Sequence, residues 1–225
     1  MSEVRTVGAG RAIEWFKGGW KIFSASMANW VLMALAFGVI AIVLSFIPFL
    51  GMIVLYLLMP ILLGGMLLAA QKADQGREVE IPDLFALFKD ASKRTPLLIL
   101  GLIMLAGAFL SMIVLGGTMM GSMSAESPMP SFGATALILG LLLAVVMGML
   151  FLYATPLVVF KNASAVDAIK GSFDACMKNF APFIIFMLIY MVLSIIAAIP
   201  FGLGFLVLLP VVVGAIYVGY KDLLA

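Results

Sequence analysis

Long apolar runs broken by short charged segments set the rhythm of this chain. No Asp, Glu, Lys or Arg falls within Ile22–Gln71, Thr95–Ala125, Ser127–Phe160 or Asn179–Tyr220. A helix rising 1.5 Å per residue needs about 20 apolar residues to cross a hydrocarbon core about 30 Å thick, so each run holds one span or a hairpin of two. Ile22–Gln71 is about twice a span and is interrupted at Phe46-Ile47-Pro48-Phe49-Leu50-Gly51, where Pro and Gly favour a tight turn. This predicts spans near 27–47 and 51–71. Thr95–Gly117 and Gly133–Phe160 supply two more, separated by the Gly, Ser, Met and Pro-rich loop Thr118–Phe132. Asn179–Tyr220, broken at Ile199-Pro200-Phe201-Gly202-Leu203-Gly204, supplies the last two. The pattern predicts an all-α polytopic membrane bundle of six transmembrane helices.

Composition identifies the solvent. Apolar residues make up 65% of the chain and charged residues 11%, too few to coat a water-soluble core. The net charge of +2 is dispersed among acids, which implies no nucleic-acid partner. With one cysteine, Cys176, there is no internal disulfide, and with no histidine the commonest zinc ligand and the usual general base near neutral pH are missing. The expectation is therefore a protein that is not an enzyme and has no cofactor. The first run is too long for a signal-peptide core and ends in no A-x-A-type cleavage site, so it reads as an uncleaved first span.

Orientation follows from the cations. Six spans put the amino terminus, 72–94, 161–178 and the carboxyl terminus on one side, which then holds all 13 Lys and Arg residues, while Glu126 is the only charge opposite. The positive-inside rule then puts both termini in the cytoplasm.

Gly10–Ala25 sets Ile13, Phe16, Trp20 and Phe23 on one helical stripe with Arg11, Glu14, Lys17 and Lys21 largely off it, the pattern of an amphipathic helix in the headgroup plane. Trp15, Trp20 and Trp30 suit that interface. The residues expected to face lipid or its headgroups are Trp15, Lys17, Trp20, Lys21, Lys89, Lys93, Arg94 and Lys170. Two readings are open for such cytoplasmic interfacial helices: bracing the bundle, or recognising lipid or a partner.

The chain also repeats. A shift of 153 positions lays Ile13, Phe16, Trp20 and Phe23 on Val166, Ile169, Phe173 and Cys176, and Glu14, Lys17 and Gly18 on Asp167, Lys170 and Gly171. Ile47-Pro48-Phe49 then meets Ile199-Pro200-Phe201, and Pro60 meets Pro210. The implied units are 10–71, 163–222 and a degenerate middle copy, 81–160, in which Leu84–Lys89 is the short helix and Pro156 stands for Pro60.

Pro60, Pro156 and Pro210 fall inside predicted spans and are expected to kink them, either as gates or the walls of a cavity or as tolerated inherited bends. Ala34 and Gly38, Ala144 and Gly148, and Ala215 and Gly219 have the four-residue spacing that allows close helix approach. Met119, Met120, Met123 and Met129 are soft ligands that would suit Cu(I), or else flexible apolar filler; no metal site is assigned. Cys176 is expected to be a buried, inert thiol. Ser45, Tyr56, Ser111, Tyr153, Thr155, Tyr190, Ser194 and Tyr217 are explicable by interhelical or backbone hydrogen bonds. No charge lies at membrane depth, which disfavours an ion-coupled carrier.

The start Ala12–Phe23 and the ending Leu209–Asp222 carry a resemblance that covers nearly the whole chain. It resembles an uncharacterised family of six-span proteobacterial inner-membrane proteins and, more distantly, is similar to the membrane domain fused to some glycerophosphodiester phosphodiesterases. The resemblance implies a fold and no activity. The expected function is a non-enzymatic integral membrane protein organising lipid, a membrane-protein partner or a second copy of itself. The alternative is a channel or facilitator for a small neutral solute.

Overall fold

The computed structural model describes residues 4–121 and 133–225, and among them the chain is all α. The helices are α1 (Arg11–Ser24), α2 (Met27–Ser45), α3 (Leu50–Asp74), α4 (Ala91–Gly121), α5 (Ala134–Phe151), α6 (Ala154–Lys161), α7 (Ala165–Lys178), α8 (Phe180–Ala198) and α9 (Phe205–Leu224), with a 3₁₀ helix at Ile81–Phe88 before α4. Six stretches are long and apolar enough to cross a membrane: α2, α3, α4, α5 with α6, α8 and α9. They match the six expected spans. The short helix expected at Leu84–Lys89 is the 3₁₀ helix, begun by a reciprocal cap between Glu80 and Asp83.

Both hairpins turn where expected, each around a phenylalanine with positive φ. Phe49 (φ 57, ψ −55) centres a γ-turn in which Leu50 N–H donates to the Pro48 carbonyl at 2.6 Å. Phe201 (φ 53) precedes Gly202 (φ 81), and Leu203 N–H donates to the Pro200 carbonyl at 3.0 Å. Positive φ brings the Cβ of an L-residue against its own backbone, so the same strained choice occurs at the two positions aligned by the sequence repeat. α1 and α7 have 14 residues each, and α2 and α8 have 19 each.

The two faces of the bundle differ in burial. On α3 and α9 the halves beyond Pro60 and Pro210 are mostly buried, because α1 covers α9 and the 3₁₀ helix covers α3. Gly65 makes the second contact possible: a Cβ there would lie 2.6 Å from the Asp83 carbonyl. α2, α5 and the outward face of α8 present bulky apolar residues such as Ile42, Leu141 and Ile195, surface that lipid solvates better than water does.

The prolines act differently from one another. Pro60 sits inside an uninterrupted α3, and the Tyr56 carbonyl it cannot reach lies against Gly101 of α4, where a Cβ would come within 2.5 Å. Pro210 likewise lies inside α9. Pro156 coincides with a break: the fourth span parts at Leu152-Tyr153, between α5 and α6. There the Ser172 hydroxyl of α7 accepts the Tyr153 N–H at 3.0 Å and donates to the Met149 carbonyl at 2.7 Å, replacing the helical bond those groups would otherwise make with each other.

Candidate functional site

At the end of the bundle that carries both termini, side chains from distant segments are clasped together. Asp222 of α9 accepts the Arg11 guanidinium at 2.8 Å and the Trp15 indole N–H at 2.9 Å. Asp74 of α3 pairs with Lys221 and accepts the Tyr217 hydroxyl, and Lys72 pairs with Asp83 at the 3₁₀ helix. Asp222 raises the pKa of Arg11 through the hydrogen bond and the charge it offers. Asn179, buried between α7 and α8, accepts the Val7 N–H at 2.8 Å and donates to the Arg5 carbonyl at 2.9 Å, so it straps the amino-terminal segment to the bundle. Asp90 begins α4 by accepting from Ser92 and Arg94 backbone N–H groups, and the Ser92 hydroxyl holds its carboxyl below the usual range.

The α1 stripe is rotated from the expected one. Trp15 is 1% exposed and packed under α9, which corrects its assignment as lipid-facing; Ile13 (48%) and Trp20 (51%) point outward. The buried face is Ala12, Trp15, Phe16, Gly19, Ile22 and Phe23. Gly19 is the cause. A Cβ there would lie 2.6 Å from the Ala215 nitrogen, and one at Gly214 would lie 2.9 Å from the Gly19 Cα, so the two backbones meet where neither has a side chain. Hydrophobicity alone scores Trp20 as core and Gly19 as nothing. α1 is thus docked on a transmembrane helix and does not lie free on a surface. The amino-terminal segment Ala12–Phe23 and the carboxyl-terminal segment Leu209–Asp222, far apart in sequence, form this one interface.

Lys17, Lys21, Lys89, Arg94 and Lys170 are exposed and Lys93 is half-buried, spread over α1, the start of α4 and α7. Lys17 engages Glu14 at 2.8 Å, Lys93 lies 3.9 Å from Asp90, and Arg94 donates to the Phe88 carbonyl. Met123, Met129 and Glu126 lie outside the described residues. Of the small-residue pairs, Gly219 is tightly packed, with a Cβ there 2.6 Å from the Tyr153 hydroxyl, whereas Gly38 faces open space. Ser45, Ser111 and Ser194 bond to carbonyls of their own helices, and the buried Tyr153 hydroxyl, contrary to expectation, has no partner among the described residues. Cys176 is buried, and burial pushes its thiol up to about 12.

Between α3, α4, α5, α6, α8 and α9 a crevice of about 380 Å³ opens, with Leu67, Met104, Phe151, Pro156, Met187 and Ile216 among its walls. Among the described residues its side-chain hydroxyls are those of Thr155 and Tyr190. Met104 and Phe151 also line an adjoining hollow of about 390 Å³ beside Tyr56 and Ser111. Pro156, one of the three prolines expected to form gates or cavity walls or else to be tolerated bends, lies in the crevice wall beside the break at Leu152-Tyr153, whereas the other residues around the two spaces carry no such signal in the sequence. Among the described residues no group of three or more His, Cys, Asp or Glu side chains could hold a metal. Comparison with protein-family models, characterised proteins and solved structures finds no match to this chain.

Proposed function

We propose that this chain is a non-enzymatic integral protein of a bacterial inner membrane, with both termini in the cytoplasm, and that it organises membrane lipid through the crevice between its helices. The observation that carries this reading is the wall of that crevice: apolar side chains from five of the six spans, relieved by two hydroxyls. Ligand sites between helices of bundles have this size and this makeup, largely apolar with a few orienting polar groups. Water gains little from such a wall, whereas an acyl or isoprenoid chain matches it without exposing polar atoms. The cytoplasmic assignment is supported by the collection of every Lys and Arg at the charged end. Descent from a repeated unit is supported by the matched lengths of α1 and α7 and of α2 and α8, and by the shared positive φ of Phe49 and Phe201.

Native mass spectrometry of the purified full chain tests the reading. Retained lipid is expected in the unaltered chain and loss of that lipid in Ile216→Trp, which fills the crevice. Lipid-free protein, or rapid glycerol efflux from vesicles containing the chain, would overturn it in favour of the solute facilitator.

A further inference from the structure

A second hollow lies on the outside of the bundle, where α1 passes over α8 and α9. Nearer the charged end it is walled by Ile13, Lys17, Trp20 and Ile189; nearer the hairpin turns, by Trp20, Ile196, Pro200 and Gly204. Trp20, Leu193 and Val211 belong to both parts, so they form one groove. From Ile189 to Pro200 it follows about 16 Å of helix rise, close to half of a hydrocarbon core about 30 Å thick. That is the depth of one leaflet.

The mouth of the groove carries a net positive charge, two lysines against one glutamate. Lys17 is part of its wall, and Lys21 follows one turn later on the same helix. Glu14 engages Lys17, while Lys21 has no ion-pair partner among the described residues. Trp20 adds a donor. The indole N–H groups of Trp15 and Trp30 are spent on Asp222 and on the Ile22 carbonyl, whereas that of Trp20 donates to no group among the described residues. Apolar depth of one leaflet below two cations and a free N–H is the complement of a single lipid type.

We propose that this groove holds an acyl chain of one anionic phospholipid from the leaflet on the charged side, with its phosphate at Lys17, Lys21 and the Trp20 indole. The proposal rests on the lipid-organising reading and adds a headgroup preference at a place separate from the crevice. Trp20 makes it measurable, because bromine on an acyl chain quenches an adjacent indole while Trp15 and Trp30 are buried.

The full chain is reconstituted in phosphatidylcholine vesicles containing increasing brominated phosphatidylglycerol or brominated phosphatidylcholine. Half-quenching is expected at about a fivefold lower mole fraction of the anionic lipid, the scale of one lysine near an anionic surface. The double variant Lys17→Gln, Lys21→Gln should bring the two curves together, and Trp20→Phe should remove the quenchable emission. Coincident curves for the unaltered chain, or a preference that survives the double lysine variant, would overturn the groove. Lipid retention in the crevice is read by a different measurement and different variants, so either proposal fails without the other.

Discussion

Ser172 of α7 accepts a hydrogen bond from the backbone N–H of Tyr153 at 3.0 Å, across the break between α5 and α6. The same hydroxyl donates to Met149, so one side chain satisfies both halves of a helical bond that the kinked span has lost. Ser172→Ala leaves a buried N–H and a buried carbonyl unpaired, and unfolding of the detergent-solubilised chain should show a loss of about 1–3 kcal/mol. Tyr153→Phe is the counterpart: it removes an orphaned hydroxyl, so stability should stay level or rise by up to about 1 kcal/mol.

The α1–α9 crossing depends on the absence of two side chains. A methyl added at Gly19 meets the backbone of α9, which cannot turn aside as a flexible side chain would. Gly19→Ala and Gly214→Ala should each cost about 1–3 kcal/mol, seen as lowered thermal midpoints. Gly38→Ala has nothing within 4 Å to meet and should leave the midpoint unchanged or raise it slightly.

Cys176 gives a pH signature. Its folded thiol titrates near 12 because burial opposes the thiolate, while the unfolded chain releases that proton near the ordinary value of 9. Between those values the folded state binds more protons than the unfolded one, so this group's contribution falls as pH rises from about 9 towards 12. Below about 9 it contributes no slope. Cys176→Ala should lower stability by a constant offset at neutral pH and flatten the alkaline decline relative to the unaltered chain, as denaturation midpoints across that range will record. Maleimide at pH 8 should label the thiol only after denaturation.

Orientation is testable with single cysteines in a Cys176→Ala background. Ser92, exposed beside Asp90 at the charged end, should react as Ser92→Cys only with a membrane-permeant reagent in intact cells. Ser124→Cys, whose position in the sequence falls between the third and fourth spans, should react with an impermeant one. The opposite pair of results would invert the topology.

The number of spans and both hairpin turns were legible because membrane insertion is governed by composition: uncharged length decides what crosses, and Pro with Gly decides where the chain doubles back. The clasp was less visible. Asp74 and Asp222 stand at the ends of neutral runs, which marks them as boundary residues but does not name their partners, Lys221 and Arg11. Ser172 resembled any serine on an amphipathic helix until the broken span beside it supplied two unpaired backbone groups.

The amino-acid order by itself determined an all-helical chain with six neutral spans and its cations gathered at one end, since hydrocarbon penalises charge locally and each run reports that penalty alone. Tertiary structure decided which side of α1 is buried, where α5 and α6 part and which hollows the bundle leaves. Those outcomes depend on pairs of surfaces meeting, at Gly19 with Gly214 and at Ser172 with Tyr153, and fit between two surfaces is a property that neither segment carries on its own.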